Sequence, residues 1–317
     1  MRAAKKRPFF LEFEVTILGT GSATPAAGRN PSAQVLMHHQ RLFLIDCGEG
    51  AQMQMRRFHV RSSKINHIFI SHLHGDHYLG LPGFLASLHL KNRTVELHLY
   101  CHRPLKEILE LQFRYSQTHI RFPIVYHFLN PEEQECIYED DGLEVISFPL
   151  NHRIDCNGFL FREKPKLFPV KKEMLAFFKI HPQDIPSIKR GEDYISPEGE
   201  VISNNRITLP RPPSAAYAYC SDTIYLPKLK EILAGVDLLY HEATFLNDMK
   251  SRAKETYHTT AGEAAALAES AGVKKLLLGH FSARYHHLQD FETEARAVFP
   301  NAVVAEEGKT YQVHLLP

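Results

Sequence analysis

Seven consecutive residues, Ser-His-Leu-His-Gly-Asp-His at 71–77, constrain this chain more than any other feature. An apolar, β-branched stretch at 66–71 (NHIFIS) precedes them and reads as a strand. LPGFLASLHL, which follows, has helical spacing. The string therefore sits at the C-terminal edge of a strand. His72 and His74 are two apart in extended backbone, so they point to the same side and suit one cation. Asp76 and His77 come one turn later and suit a second cation nearby. Imidazole and carboxylate donors favour Zn²⁺ at about 2.0–2.2 Å, with Mn²⁺ or Fe as alternatives.

A two-cation site needs more ligands, and the second half of the chain repeats the pattern of an apolar strand ending in one. His152 follows VISFPL, Asp222 follows AYAYC, and His280 follows KKLLL. With 71–77 these make a set of seven. A carboxylate is the natural bridge, because each oxygen can serve one ion, and Asp222 is the choice. The chain holds 20 histidines in 317 residues, about 6%, which agrees with metal or acid–base chemistry without proving either. The pairs His38-His39 and His286-His287 and the isolated His59, His89, His98, His119, His127 and His181 read as structural or surface residues.

Composition narrows the class. Hydrophobic residues at 44% and charged residues at 23% suit a soluble globular protein of one large or two small domains. The net charge of +1 excludes a polybasic protein but leaves room for a local basic patch. Five cysteines (47, 101, 136, 156 and 220) contain no C-x-x-C pair. A reducing cytoplasm fits them better than a disulfide framework, and Cys220 reads as a buried thiol. The first apolar run stops at Glu12 and Glu14, too short for a signal peptide, and no stretch suits a membrane span.

Strands are expected at 12–18, 33–37, 41–46, 66–71, 95–100, 123–128 and 143–148, and helices at 50–58, 81–90 and 103–115. After 215 the alternation resumes, with strands at 216–220, 237–241, 274–279, 302–305 and 310–315. Helices are expected at 245–254, 260–271 and 287–298, the middle one opened by a Thr260/Glu263 capping box. GTGSATP (19–25) lacks the Lys-Ser/Thr of a phosphate loop and reads as a tight turn near the site. Between the halves, residues 161–213 carry 8 of the 19 prolines, a density that breaks regular elements. Residues 161–190 hold eight basic against three acidic residues, net +5. This is a charged insert in a mildly acidic body.

Longer strings carry a resemblance. H-x-H-x-D-H after a strand, with later His, Asp and His, resembles the metallo-β-lactamase superfamily. LGTGSATP (18–25), DCGEGAQ (46–52), FISHLHGDHYLGLPG (69–83), CSDT (220–223), HEAT (241–244), HTT (258–260) and GHFSARY (279–285) together resemble the short form of the ribonuclease Z family, from about residue 13 to 315. The resemblance implies an α/β fold, an αββα sandwich over 1–317 as a single domain, with an inserted basic protruding arm. The arm, 158–213, would be a flexible exosite for tRNA. It also implies a zinc-dependent endoribonuclease that removes the 3′ trailer from precursor tRNA, acts as a homodimer, and leaves a tRNA 3′-hydroxyl and a 5′-phosphorylated trailer.

By matching motifs, His72, His74 and His152 would hold one Zn²⁺, Asp76, His77 and His280 the other, and Asp222 would bridge them. Asp46 would orient a ligand. Asp76 would orient the attacking water or take its proton, and His258, held by Glu242, would protonate the leaving oxygen. Arg284 and Ser282 would meet phosphate, with Arg29 from the PAAGRN loop. Lys171, Lys172, Lys189 and Arg190 would meet tRNA from the arm. Relatives blocked by a mature CCA end often have lysine where this chain has Ala27, and the arm reads KIHPQDIPSIKRGE without a Gly-Pro pair. Two other readings are a hydrolase of small phosphodiesters, which would not need a basic arm, and a non-catalytic RNA-binding subunit, which would be expected to lack ligands.

Overall fold

Apolar strands, many of them buried at almost every position, build two sheets of seven strands each. In the computed structural model, which describes residues 13–24, 26 and 28–314, the first sheet contains β1 (Phe13–Gly19), β2 (Ala33–His38), β3 (Arg41–Cys47), β4 (Ile65–Phe69), β5 (Leu97–Cys101) and β6 (Ile124–Phe128). The second contains β7 (Glu135–Glu139), β8 (Leu143–Pro149), β9 (Asn157–Glu163), β12 (Ala216–Cys220), β13 (Leu238–Glu242), β14 (Lys275–Gly279) and β15 (Ala302–Val304), with a short β10 (Tyr194–Ile195) and β11 (Val201–Ile202) ribbon apart from both. The last strand, β16 (Thr310–Gln312), returns to pair antiparallel with β1. Strands β3 to β6 run parallel, as do β12 to β15. Parallel strands align their C-terminal ends on one edge, where α/β sheets collect ligands.

The chain folds as two compact units. The first takes the described residues within Met1–Tyr138, Val145–Phe161 and Ala216–Pro317. Here β4 shows the layering: Ile68 and Ile70 face α1 (Ala51–Arg57), α3 (Leu81–Leu90) and α4 (Pro104–Tyr115), whereas Phe69 packs on Phe159 of the second sheet at 5.4 Å. A one-turn α2 (Gly75–Tyr78) precedes α3. On the far side, Ala218, Leu239 and Leu276 pack against helices 261–270 and 289–296. The layers are thus helix, sheet, sheet, helix.

The second unit comprises Glu139–Glu144 and Arg162–Ala215. Its helices are α5 (Lys172–Phe177), α6 (Ile185–Arg190) and α7 (Asn204–Ile207), around a small core of Ile180, Ile188, Tyr194, Ile202 and Ile207. Proline was expected to break this stretch, but Pro186 sits in the first turn of α6, where a missing N–H costs nothing. The remaining helices, α8 (Lys250–Thr256), α9 (Ala261–Ser270) and α10 (Gln289–Arg296), belong to the first unit. Both halves of the capping box form: Thr260 Oγ1 accepts from Glu263 N, and Glu263 Oε2 accepts from Thr260 N, each at 3.2 Å. Such a cap stabilises a helix by about 1 kcal/mol and here fixes the chain just after His258.

The sequence did not give up four strands, β7, β9 and the short pair β10 and β11. The helix expected at 245–254 is a short 3-10 turn, Asn247–Met249, followed by α8. Ala27, and the outer residues of the strands expected at 12–18 and 310–315, lie outside the described residues.

Candidate metal centre

Seven side chains converge at the C-terminal edge of both sheets. His72 and His74 leave the end of β4, and α2 carries Asp76 and His77. His152 follows β8, Asp222 follows β12, and His280 follows β14. Close backbone packing shapes this edge. A Cβ on Gly48 would collide with the Asp76 carbonyl, and one on Gly279 with the Tyr240 hydroxyl. Asp46 (φ 54°), Ala23 (φ 58°), Tyr257 (φ 59°) and His280 (φ 59°) all take left-handed backbone, and all four touch the site. Such strain in non-glycine residues gathers where geometry is overdetermined.

The donors form two clusters joined by one carboxylate. His74 Nδ1 lies 3.1 Å from both His72 Nε2 and His152 Nε2. Asp222 Oδ2 is 3.6 Å from His72 Nε2 and 3.7 Å from His152 Nε2. In the second cluster, Asp76 Oδ2, His77 Nε2 and His280 Nε2 are 3.2–3.4 Å apart. Asp222 Oδ1 lies 3.5 Å from His77 Nε2 and 3.1 Å from His280 Nε2. Ligands placed tetrahedrally around a Zn²⁺-sized ion at about 2.0–2.1 Å are separated by roughly 3.3–3.4 Å. Both clusters match that spacing. Asp222 Oδ1 is buried and accepts no hydrogen bond, a costly state for a carboxylate oxygen unless a cation meets it. The residues therefore fit two divalent cations.

The outer nitrogens of four histidines are each held, so the inner ones face the clusters. His77 Nδ1 is 2.7 Å from Asp46 Oδ2, and His72 Nδ1 is 3.1 Å from Ser71 Oγ. His152 Nδ1 is 3.0 Å from the Tyr257 carbonyl, and His280 Nδ1 is 3.0 Å from Thr244 Oγ1. Asp46 is itself gripped by Ser71 N (2.8 Å) and by the Tyr219 hydroxyl (2.6 Å). Asp76 Oδ2 accepts from Ala23 N at 2.6 Å, which places the GTGSATP turn against the site.

Electrostatics follow the geometry. Burial opposes ionisation of Asp76 and Asp222, but the surrounding histidines hold both carboxyls well below the usual range. Burial also disfavours a charged His77, yet Asp76, Asp222 and Asp46 outweigh it and raise that imidazole well above its ordinary value. The same carboxylates attract a divalent cation. Buried His72 is pushed well below its ordinary value by burial and by the neighbouring His77, the neutral form a ligand requires.

His258 lies beside the clusters, its Nδ1 3.1 Å from Glu242 Oε1 and 4.0 Å from Asp222 Oδ2. Burial would lower its pKa, but Glu242 and then Asp222 raise it to about 9. Glu242 is fully buried and also accepts from Thr259 N (2.8 Å), Thr244 N (2.9 Å) and Thr244 Oγ1 (2.8 Å). A cavity of about 420 Å³ opens over the clusters, lined among others by His258, Ser282, Arg284, Arg153 and Arg252.

The expected substrate residues fare differently. Ser282 and Arg284 line the cavity, with Arg284 lying over the Phe245 ring at 5.3 Å. Arg29 does not line it; its Nη2 donates to the Ser282 carbonyl at 3.1 Å. Lys171, Lys172, Lys189 and Arg190 all lie in the second unit. Lys171 Nζ is tied to the Asn205 and Arg206 carbonyls, and Arg190 pairs with Glu192 at 3.2 Å. The sequence reading did not single out Thr244, Tyr219, Ser71, Arg153 or Arg252. Thr244 stands inside HEAT, so the motif held that signal.

Comparisons with known proteins bear on the family and the fold. A family model described as Anti-Pycsar protein Apyc1 matches residues 13–165. The chain is 47% identical over 297 residues to a protein named Ribonuclease Z from Bacteroides fragilis (strain YCH46), covering 94% of this chain and 98% of that one. The crystal structure of human tRNase Z, short form, matches with a TM-score of 0.70 at 26% identity, covering 95% of this chain and 100% of that one. The metallo-β-lactamase fold protein YhfI from Bacillus subtilis matches with a TM-score of 0.66 at 19% identity, covering 95% and 98%, and so speaks for the fold.

Proposed function

The chain belongs to the ribonuclease Z family, and from that premise we propose how its residues remove the 3′ trailer from precursor tRNA. The observation that carries the reading is Asp222, whose two oxygens face different histidine clusters while His258, held by the buried Glu242, lines the cavity beside it. His72, His74 and His152 would hold one divalent cation, Asp76, His77 and His280 the other, and Asp222 stands between the two clusters. The donor set favours zinc, two ions per chain. When bound, such ions would supply Lewis acidity: a more acidic water near neutral pH and compensation of charge on the phosphate.

Asp76, kept ionised by its histidines and aimed by Ala23 N, orients the attacking water or takes its proton. Arg284 and Ser282, which line the same cavity, hold the scissile phosphate. Glu242 favours the protonated form of His258 and takes its Nδ1–H. Its Nε2–H is left to protonate the departing ribose 3′-oxygen. Lys171, Lys172, Lys189 and Arg190 of the second unit meet the tRNA backbone, with Arg29 supporting the Ser282 backbone. The family supports a homodimer. The five free cysteines support a cytoplasmic setting, and no helix among the described residues is long and apolar enough to cross a membrane.

The test is incubation of purified protein with precursor tRNAs, with and without an encoded CCA, followed by mapping of both new ends. A tRNA ending in a 3′-hydroxyl and a 5′-phosphorylated trailer is expected. Cleavage that persists in excess chelator, or products with a 3′-phosphate, would overturn the scheme.

A further inference from the structure

We propose that Thr244 is a positioning residue that makes the buried Glu242 serve both the proton donor and the second metal cluster. Its hydroxyl lies 2.8 Å from Glu242 Oε2, 3.0 Å from His280 Nδ1 and 3.2 Å from His258 Nδ1. The side chain is buried. A hydroxyl has one proton and two acceptor sites, and an ionised carboxylate only accepts. Of its two acceptors, Glu242 Oε2 at 2.8 Å and the His280 carbonyl at 3.0 Å, the charged and closer carboxylate takes the Thr244 proton, and the hydroxyl receives one from His280 Nδ1.

That direction fixes the tautomer of His280. With Nδ1 protonated, the lone pair of Nε2 faces Asp76 Oδ2 at 3.3 Å and Asp222 Oδ1 at 3.1 Å, where a cation ligand must point. The other oxygen, Glu242 Oε1, takes the His258 Nδ1 contact at 3.1 Å. One carboxylate thus orients His258 directly and His280 through Thr244. Without the hydroxyl, His280 loses the acceptor that sets its ring and tautomer, while the outer partners of His72 and His152 are untouched. Only the cluster of Asp76, His77 and His280 weakens.

The inference rests on the ligand assignment above, so the experiment separates the two. Full-length protein is stripped with chelator, then titrated with Zn²⁺ and, for its absorption spectrum, Co²⁺. The wild type should take two ions. Thr244→Val should weaken one by about 10–100-fold and shift its Co²⁺ absorption, leaving the other unchanged. Thr244→Ser, which keeps the hydroxyl, should restore both, and Thr244→Ala replaces the valine variant if that fails to fold. Wild-type affinity at both sites in the hydroxyl-free variant, or failure of the serine variant to rescue, overturns the role of Thr244. Fewer than two ions in the wild type, or both retained by His280→Ala, overturns the ligand assignment instead.

Discussion

Nδ1 of His258 lies 3.1 Å from Oε1 of Glu242, a carboxylate with no exposed surface. The pair acts as one unit, so its members should fail together. Glu242→Gln and His258→Ala should each lower single-turnover cleavage of precursor tRNA by roughly 10²–10⁴-fold, the range of a lost general acid. The double variant should be little worse than the poorer single one. Additive losses would mean the two residues act separately.

Asp76 touches both His77 and His280 and holds the Ala23 N–H. Asp76→Ala should reduce turnover by more than about 100-fold with the far-UV circular dichroism spectrum unchanged. Near-normal turnover would remove it from the mechanism.

Chelation should abolish cleavage and lower the melting temperature, and both should return on adding Zn²⁺. Ions that bind only the folded chain stabilise it, by about 2.7 kcal/mol per site at a free concentration 100 times Kd. Metal analysis of the repurified protein should find about two ions per chain. A single tightly held ion would contradict the seven-ligand assignment.

Ile188 is fully buried in the core of the second unit, so deleting residues 161–190 would destroy that core along with its charge. Neutralising Lys172, Lys189 and Arg190 is the cleaner test. KM for precursor tRNA should rise and its salt dependence flatten, with hydrolysis of a chromogenic phosphodiester unchanged. Equal loss on both substrates would argue against RNA binding by this unit.

His67 stacks on His98 with ring centroids 4.9 Å apart, and burial, then His98 and His127, push its pKa down to about 4. The folded chain keeps it neutral, whereas the unfolded chain protonates it near 6.5. Stability from this site is therefore full above about pH 6.5 and is lost as pH falls towards 4. Urea midpoints of wild type and His67→Phe at pH 7.5 and 4.5 should show the smaller acid loss in the variant. Equal losses would clear His67.

The ligand string at 71–77 was legible because extended backbone fixes which side each residue faces, and the later ligands because each ends an apolar strand. The residues around them were not. Thr244 meets His280 36 positions away and Tyr219 meets Asp46 173 positions away, and no local periodicity encodes such pairs. Strand β7 was hidden by its polar, largely exposed sequence ECIYE. Helix α6 of the second unit was hidden by Pro186, which looks like a breaker until its place in the first turn is known. Of the 20 histidines, six entered the site reading. Some of the rest, such as His67, His98 and His127, belong to a stack on the first sheet.

Strand β14 delivers His280 to a cluster whose other members were laid down some 200 residues earlier. A chain still emerging from the ribosome holds His72, His74 and His77 long before it holds His280. The proposed second seat is thus completed only near the end of synthesis, after β12 has brought in Asp222. A chain that stops short of residue 280 lacks one of the seven side chains on which the proposed chemistry depends.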